Sequence, residues 1–568
     1  MTEEQAAVVA KTWLSSDYNE ETRAEVLALI EGGGESLIEA FYKDLDFGTG
    51  GMRGLMGAGT NRINVYTIGK ASQGMALALI ESYPNQKISV AIAYDCRNNS
   101  PLFAQSAAEV LSSNGIHVYL FSALRPTPEL SFAVRELGCQ GGVVITASHN
   151  PKEYNGFKVY GEDGGQIVSP FDQELISKVR GLRIDQVKFQ PQPVLIEFLG
   201  EEMDQAYIGK IKSLSLSPED ILRQAQMPIV FTGIHGTGSV LVPKALKEYG
   251  FEKVITVASQ DEINGNFPTV QSPNPEEPEA LELAIELAKK EGATLVMGTD
   301  PDADRVGIAI PNKQGEFVIL NGNQTGSLLV NYLLSRWKDK GKIDGNQFVA
   351  STIVTTDLIN SLARASGVKS YSTLTGFKHI GALIKEKEGK ETFIGGGEES
   401  YGYLVGDFVR DKDAVISCVI IAEMVAWAKS QGKDLFDLLM EMYRKHGFYF
   451  EELLSITKSG RNGAKEIVKM MQNLRTSPPK EILGEEVVER IDFLEDNQTG
   501  LPASNVLQFV TLKGTKVTAR PSGTEPKIKF YFSVQGKIGE YAEFEQEREK
   551  MQKKIGQIKV EMKLSEEK

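Results

Sequence analysis

The stretch "KISVAIAYDCRNNSPLFAQSAAEVLSSNGIHVYLFS", Lys87 to Ser122, decides the fold. Two β-prone apolar runs, "ISVAIAY" and "IHVYLFS", flank an amphipathic helical segment, "PLFAQSAAEVLSS". The alternation continues through a second helix, "PTPELSFAVREL", into a third strand, "GVVIT". Apolar strands alternating with amphipathic helices build an α/β layer with a largely parallel sheet.

Outward from this unit the alternation restarts twice. "PIVFTGIHGTG" leads into a helix, "KVITVA", a long helix from about Glu276 to Glu291, and "ATLVMGTD". A third set runs from about Asn321 through "QFVASTIVTT" and "SYSTLTGFKHIGALI" to "TFIGGGEESYG". Each set delivers a strand into a glycine-rich or polar loop, as one α/β unit used three times would. From about Ser459 the character changes to a helix, several β segments and a charged terminal helix, the pattern of a small α+β domain. Residues 1–45 read as two helices, the second with Ala24, Leu27 and Ile30 at helical spacing. The fold class expected is therefore α/β: three similar α/β domains with mixed, largely parallel sheets and a C-terminal α+β domain. The expected segments are 1–205, 206–320, 321–458 and 459–568.

The chain has 568 residues, too many for a single core. With 41% hydrophobic and 24% charged residues it has the composition of a soluble globular protein. A net charge of -14 argues against binding nucleic acid or an anionic membrane, so an anionic ligand needs a local concentration of cations. Cys96, Cys139 and Cys418 are isolated, with no CxxC pair, which suits a reducing compartment. The acidic start "MTEEQAAVVAKTW" lacks a signal-peptide layout and no apolar run reaches membrane-spanning length, so the expected location is the cytoplasm.

Four loops carry polar chemistry. In open α/β sheets ligands bind beyond the carboxyl ends of the strands, and "VVITASHNPKEYNGFKVYGEDGG" places Ser148 there. A serine hydroxyl needs a base or a metal to act as a nucleophile, and His149 and Lys158 are near in sequence. A turn cap would use the same residue types, and no GxSxG elbow is present.

In "MGTDPDADRVGIAI" the carboxylates of Asp300, Asp302 and Asp304 recur at spacing two, which on an extended backbone would direct them to one side. Packed carboxylates repel unless a cation joins them, and all-oxygen ligation suits a small hard cation such as Mg²⁺. Arg305 and Val306 follow, so the run is no EF-hand. Arg305 adds a fixed positive charge beside the cage. An acidic solvated turn is the alternative, but this run lies between two apolar strands.

"GGGEESYG" offers Glu398, Glu399 and Ser400 to a polyhydroxylated ligand, although it suits an exposed acidic turn equally; "RDKD" follows with Lys412. "TARPSGTEPKIKFY" brings Arg520, Ser522, Gly523, Thr524 and Lys527 into one compact loop, the chemistry of a phosphate nest.

Taken in order, "TASHNPKEYNGFK", "GTDPDADR", "GGEESYG" and "RPSGTEPK" resemble the motifs of the α-D-phosphohexomutase superfamily, over roughly residues 45 to 560. "FGTGGMRG" and the helical extension look most like its phosphoglucomutase-2 and phosphopentomutase-like branch. The resemblance implies four domains around a central cleft, each supplying a loop. It implies that Ser148 is phosphorylated and that Asp300, Asp302 and Asp304 hold Mg²⁺ together with an oxygen on Ser148. Arg53 and Lys158 would flank the transferring phosphoryl group, with Lys158 as proton acceptor and His149 beside the serine. Glu398 and Ser400 would hold sugar hydroxyls, Gly376 and Lys378 a specificity loop, and Arg305 would bind substrate. Arg520, Ser522, Gly523 and Thr524 would hold the distal phosphate. The implied activity interconverts glucose 1-phosphate and glucose 6-phosphate, with glucose 1,6-bisphosphate as activator and intermediate. Mannose and pentose phosphates, bisphosphate synthesis and a non-catalytic sugar-phosphate binder are the alternatives. Dual glucose/mannose branches carry "GEMSGH"; here "GEESYG" lacks the histidine, with Lys412 as the substitute, which favours glucose.

Overall fold

The computed structural model describes residues 1–48, 50–458, 460–495, 499–522 and 527–564. The chain forms two compact units: Met1–Asn321, Phe377–Gly395 and Ser400–Gln431 make the first, and Gly322–Gly376, Gly396–Glu399 and Gly432–Lys568 the second.

The first unit contains two mixed sheets. Strands β1 (Phe47–Gly48), β2 (Gly51–Leu55), β3 (Ser89–Tyr94), β4 (His117–Phe121), β5 (Gly141–Ile145), β6 (Tyr154–Gly161) and β7 (Ile196–Leu199) lie in the order β1-β2-β6-β5-β3-β4-β7. From β5 through β3 and β4 to β7 every pairing is parallel; β6, β2 and β1 add antiparallel strands beside β5. Val90, Ile92, Val118, Leu120, Val143 and Ile145 are buried in one core with the apolar faces of helices Val65–Ser82 and Ser100–Ser113. Ala91, Ala93 and Val144, on the opposite face of the strands, are buried as well, which is the two-sided burial an apolar strand run requires.

β8 (Ile229–Thr232), β9 (Val254–Thr256), β10 (Val296–Thr299), β11 (Val306–Pro311) and β12 (Phe317–Leu320) form the second sheet, in the order β12-β11-β10-β8-β9. It repeats the plan of the first: β9, β8 and β10 are parallel, and β11 and β12 return antiparallel beside β10. The N-terminal segment forms three helices, Glu3–Thr12, Glu20–Gly32 and Gly34–Phe41, where periodicity suggests two. The additional break falls at Gly33, whose φ of 58° no helix accommodates.

In the second unit β13 (Gln347–Thr352) and β14 (Lys369–Thr373) pair in parallel between helices. The chain crosses from the first unit to the second inside β15 (Thr392–Gly397), and β16 (Tyr403–Val405) belongs to the first. The C-terminal part is β-rich. Strands β17 (Phe448–Thr457), β18 (Glu481–Ile482), β19 (Glu485–Asp492), β20 (Leu507–Thr511), β21 (Lys516–Pro521) and β22 (Lys527–Gly536) form a sheet in the order β17-β22-β21-β20-β19-β18. All its pairings are antiparallel. β17 was not legible as a strand, yet it pairs with β22 along its whole length. Among the described residues no single helix is long and apolar enough to cross a membrane.

Candidate active site

The buried strand β5 ends at Ile145, and the loop from Thr146 to Glu153 leads into β6. Ser148 sits in the left-handed region at φ 52°, an unfavourable place for a residue with a Cβ. Local hydrogen bonds hold it there: its N–H donates to Thr146 Oγ1 (2.8 Å), whose hydroxyl donates to the buried Asp95 (2.6 Å). The Ser148 hydroxyl donates to Asp300 Oδ2 (2.8 Å) and lies 3.2 Å from His149 Nδ1. Burial, followed by the positive charges of Arg305 and Arg53, pushes His149 well below its usual range, so its ring is neutral near pH 7.

Lys158 lies on β6, paired with Val144 of β5 and Gly51 of β2, and not in the proline- and glycine-punctuated loop that carries Ser148. The tight layer overrides those turn residues. At Gly156 a Cβ would come within 2.6 Å of the Thr146 carbonyl oxygen and 2.7 Å of that of Met52, so glycine lets β2, β6 and the serine loop close on one another.

The aspartate run is also built differently from the sequence expectation. It is a tight turn after β10, not an extended segment; Ala303 takes φ 49° and donates to the Asp300 carbonyl (2.9 Å). Asp300 Oδ1 accepts the N–H groups of Asp304 (3.1 Å) and Arg305 (3.0 Å), so this side chain caps its own turn. The turn, not strand alternation, brings the three carboxylates to within 4.8 Å of one another, all of them buried.

Lys158 Nζ donates to Asp302 Oδ2 (2.7 Å) and Asp304 Oδ2 (3.2 Å), and Lys412 Nζ stands 3.2 Å from Asp304 Oδ2. Asp302 Oδ1 and Asp304 Oδ1 are buried with no hydrogen-bond partner. Three close carboxylates with two such oxygens fit a hard metal ion. Burial, then Asp304 and Asp302, drive Asp300 well above the usual carboxylate range. Burial also acts against ionising Asp304, but Lys412, Lys158 and Arg305 hold it below that range. Asp302 is likewise held low: burial and Asp304 raise it, and Lys158 outweighs them. Burial disfavours the Lys158 charge, yet Asp302 and Asp304 raise it above the usual lysine value. In this arrangement Lys158 is held as a donor between Asp302 and Asp304.

Arg53, on β2, donates to Asn150 Oδ1 (2.8 Å) of the serine loop. Arg305 Nη1 pairs with Glu276 (2.6 Å), and its Nε lies 3.8 Å from Asp304 Oδ1. Two contributors escaped sequence reading. Thr127, at the start of helix Thr127–Glu136, donates its hydroxyl to Asp302 Oδ2 (2.8 Å) and its N–H to the Asp302 carbonyl (2.9 Å). Glu276 is the other. Both follow prolines at loop-to-helix junctions, Pro126 and Pro275, which is a weak signal of position and none of chemistry.

In the second unit Gly376, at φ 113°, donates its N–H to Glu398 Oε1 (2.8 Å), joining two expected sugar-binding segments. The adjacent Glu399 accepts the hydroxyls of Thr352 (3.2 Å) and Thr355 (3.1 Å). Ser400 and Lys378 belong to the first unit; both are half-buried, and burial lowers Lys378 below the usual lysine value. Arg520 lies in β21 opposite Lys529, and the Ser522 N–H donates to the Lys527 carbonyl (2.7 Å). Gly523 and Thr524 lie outside the described residues.

Three family descriptions match the chain: phosphoglucomutase/phosphomannomutase α/β/α domain I over residues 44–183, domain II over 205–315 and domain III over 321–446. A phosphoglucomutase of Staphylococcus haemolyticus is 38% identical over 511 residues, covering 87% of this chain and 91% of that one. Among solved structures, a phosphoglucomutase/phosphomannomutase family protein of Burkholderia thailandensis superposes with a TM-score of 0.66 at 20% identity, covering 92% of this chain and 98% of that one. Parafusin, a phosphoglucomutase of Paramecium in its open form, gives the same TM-score of 0.66 at 17% identity, covering 91% and 96%. These two likenesses are of fold. The serine against the aspartate turn and the three domain matches lead to one conclusion: the chain belongs to the phosphoglucomutase/phosphomannomutase family of the α-D-phosphohexomutase superfamily.

Proposed function

We propose that the protein is a phosphoglucomutase, interconverting glucose 1-phosphate and glucose 6-phosphate through phosphorylated Ser148 and glucose 1,6-bisphosphate. The observation that carries this reading is the Ser148 hydroxyl 2.8 Å from Asp300, a nucleophile set against three buried carboxylates, in a chain 38% identical to a phosphoglucomutase. A protein that only binds sugar phosphates has no use for a serine held in a strained conformation at that point. The cation we assign is Mg²⁺, held by Asp300, Asp302, Asp304 and an oxygen on Ser148. Bound there, it supplies Lewis-acid stabilisation of charge on the transferring phosphoryl group.

A sugar hydroxyl attacks the phosphorus on Ser148; the bond from phosphorus to Ser148 Oγ breaks as the bond to the sugar oxygen forms, and Lys158 gives a proton to the departing Ser148 Oγ and accepts the one the sugar hydroxyl loses. Lys412 adds positive charge beside the phosphoryl oxygens, Arg305 binds substrate, and neutral His149 lies beside the serine. Arg53 holds the serine loop through Asn150. The resulting bisphosphate turns over and returns its other phosphate to Ser148. Most of this catalysis is positioning and charge neutralisation. Glu398 and Ser400 take the sugar hydroxyls, Gly376 and Lys378 the specificity loop, and Arg520, Ser522, Gly523 and Thr524 the phosphate that does not react. Glucose is favoured because "GEESYG" has no histidine and Lys412 stands in its place. The three cysteines are free and buried, in keeping with a cytoplasmic location.

The test is a comparison of turnover on glucose 1-phosphate, mannose 1-phosphate and ribose 1-phosphate with Mg²⁺ and a trace of glucose 1,6-bisphosphate. Glucose 1-phosphate should be converted at least about tenfold faster, a margin worth roughly 1.4 kcal/mol. Faster mannose or pentose turnover would replace the reading with phosphomannomutase or phosphopentomutase. Net accumulation of bisphosphate would make the protein a glucose-1,6-bisphosphate synthase, and no turnover a binder.

A further inference from the structure

Beneath the serine loop lies a buried cation outside the proposed chemistry. Arg97 follows β3 in "YDCRNN" and is 1% exposed. Its Nη2 donates to the carbonyls of Ser148 (2.6 Å) and Asn150 (2.5 Å), and its Nη1 to those of Pro151 (2.8 Å) and Tyr154 (3.0 Å). Its Nε stands 3.3 Å from Asp95 Oδ2, the oxygen that also receives the Thr146 hydroxyl. One planar guanidinium thus gathers three carbonyls of the loop and the first of β6, a task that needs a fork of donors and that a point charge cannot perform.

The segment between helices Ala258–Asp261 and Pro278–Glu291 also reaches Arg97. The Phe267 ring lies over the guanidinium, 5.3 Å from Cζ to ring centroid, with its own backbone at φ 47°, a genuine outlier for an aromatic residue. Gly265 permits the approach, since a Cβ there would come within 2.5 Å of the Asn98 nitrogen. The same segment continues to the aspartate turn: Thr269 Oγ1 lies 2.8 Å from His235 Nε2, and two residues on from His235 the Thr237 N–H donates to the Pro301 carbonyl (2.9 Å).

We propose that Arg97, backed by Phe267, is a positioning residue that shapes the Ser148 loop and sets it in register with the aspartate turn. The proposal rests on the reading of Ser148 as the phosphorylated nucleophile. A strained serine whose carbonyl is tied to a guanidinium held from the metal-binding layer cannot shift without moving both partners. A misplacement of about 1 Å at such a site costs on the order of 100-fold in rate.

The experiment uses the full chain and the variants Arg97→Lys and Phe267→Leu. It records kcat and KM for glucose 1-phosphate, thermal unfolding, and the rate of phosphate gain at Ser148 from glucose 1,6-bisphosphate by peptide mass. Arg97→Lys should lower kcat and the phosphorylation rate together by about 100-fold, with KM within threefold. Phe267→Leu, which keeps apolar cover and loses the ring, should lower both by about three- to tenfold. A purely structural arginine would give a lower unfolding temperature with kcat per folded molecule within twofold of wild type, and that result overturns the proposal. Wild-type turnover with no phosphate ever reaching Ser148 would remove the underlying nucleophile reading as well, and is distinguishable because it needs no variant.

Discussion

The serine loop and the aspartate turn each link a buried parallel strand to an antiparallel return strand, β5 to β6 in one sheet and β10 to β11 in the other. Each has one non-glycine residue in the left-handed region, Ser148 at φ 52° and Ala303 at φ 49°. They differ in what satisfies their backbone. The aspartate turn is capped from within, by the Asp300 carboxylate on two of its own N–H groups. The serine loop is held from outside, its carbonyls on Arg97 and the Thr146 hydroxyl that takes the Ser148 N–H anchored on Asp95. Metal ligands keep one charge throughout a catalytic cycle, so one of them can double as scaffold. A side chain that alternates between hydroxyl and phosphate cannot, and its loop needs borrowed support.

The largest effect expected from breaking either side of this comparison is at Ser148. Ser148→Ala should lower mutase kcat by at least about 10⁴-fold, the scale seen when a nucleophile is deleted. Stability should change by no more than about 1 kcal/mol, because one hydrogen bond to Asp300 is lost and the externally held loop stays put. Coupled-assay kinetics beside a urea melt decide it. Retained turnover would end the phosphoserine reading.

Next is the self-capped turn, where function and stability should part. Chelation should silence the wild type, and re-added Mg²⁺ should restore it. Asp300→Asn should cut kcat by about 10²–10³-fold, yet leave the chelated protein more stable than wild type at pH 8. Burial, then Asp304 and Asp302, hold the Asp300 carboxyl well above its unfolded value. Its contribution is therefore intact below the unfolded pKa and is lost as pH rises through the folded one. The stabilising effect of asparagine should thus be smaller at pH 4 than at pH 8, because near pH 4 the unfolded carboxyl begins to take up its proton too. Urea melts at pH 4 and 8 in chelator measure it; equal stability of the two proteins at pH 8 would refute the account.

A smaller effect is expected from outside support of the turn. Thr127→Val deletes the hydroxyl on Asp302 Oδ2 and keeps shape, so Mg²⁺ dependence should shift about tenfold to higher concentration while Thr127→Ser stays near wild type. A Mg²⁺ titration of initial rates reports the shift. No movement would make Thr127 a helix-start residue and nothing more.

These variants also mark what the sequence discloses. Strand–helix alternation was legible because burial on both faces writes itself into apolar runs such as "SVAIAY". The aspartates were legible because three carboxylates between two strands have few structural uses, although the reason for their convergence is a turn and not an extended strand. Lys158 was found but misplaced, since "YNGFK" carries turn residues that the close approach at Gly156 requires for a different reason. Arg97 reaches carbonyls 51 or more residues away, Thr127 and Glu276 act through partners 175 and 29 residues away, and no local pattern encodes such pairings.

The smallest effect should come from Glu276, which holds Arg305 at the rim of the aspartate turn. The pair is 2.6 Å apart with both side chains partly exposed, 19% for Arg305 and 30% for Glu276, so solvent screens it and its worth is about 0.5–1 kcal/mol. Glu276→Gln keeps the size and a hydrogen-bond acceptor but removes the charge. Arg305 would then be less firmly aimed, while Asp304, 3.8 Å from its Nε, still attracts it. If Arg305 grips substrate in ground and transition states alike, KM for glucose 1-phosphate should rise about two- to fourfold with kcat within twofold. The rise should fade at 0.5 M salt, where charge pairs at a partly exposed rim are already weakened. A fall in kcat at constant KM would instead place Arg305 on the transferring phosphoryl group alone, and the aspartate turn would then share the serine loop's dependence on outside support.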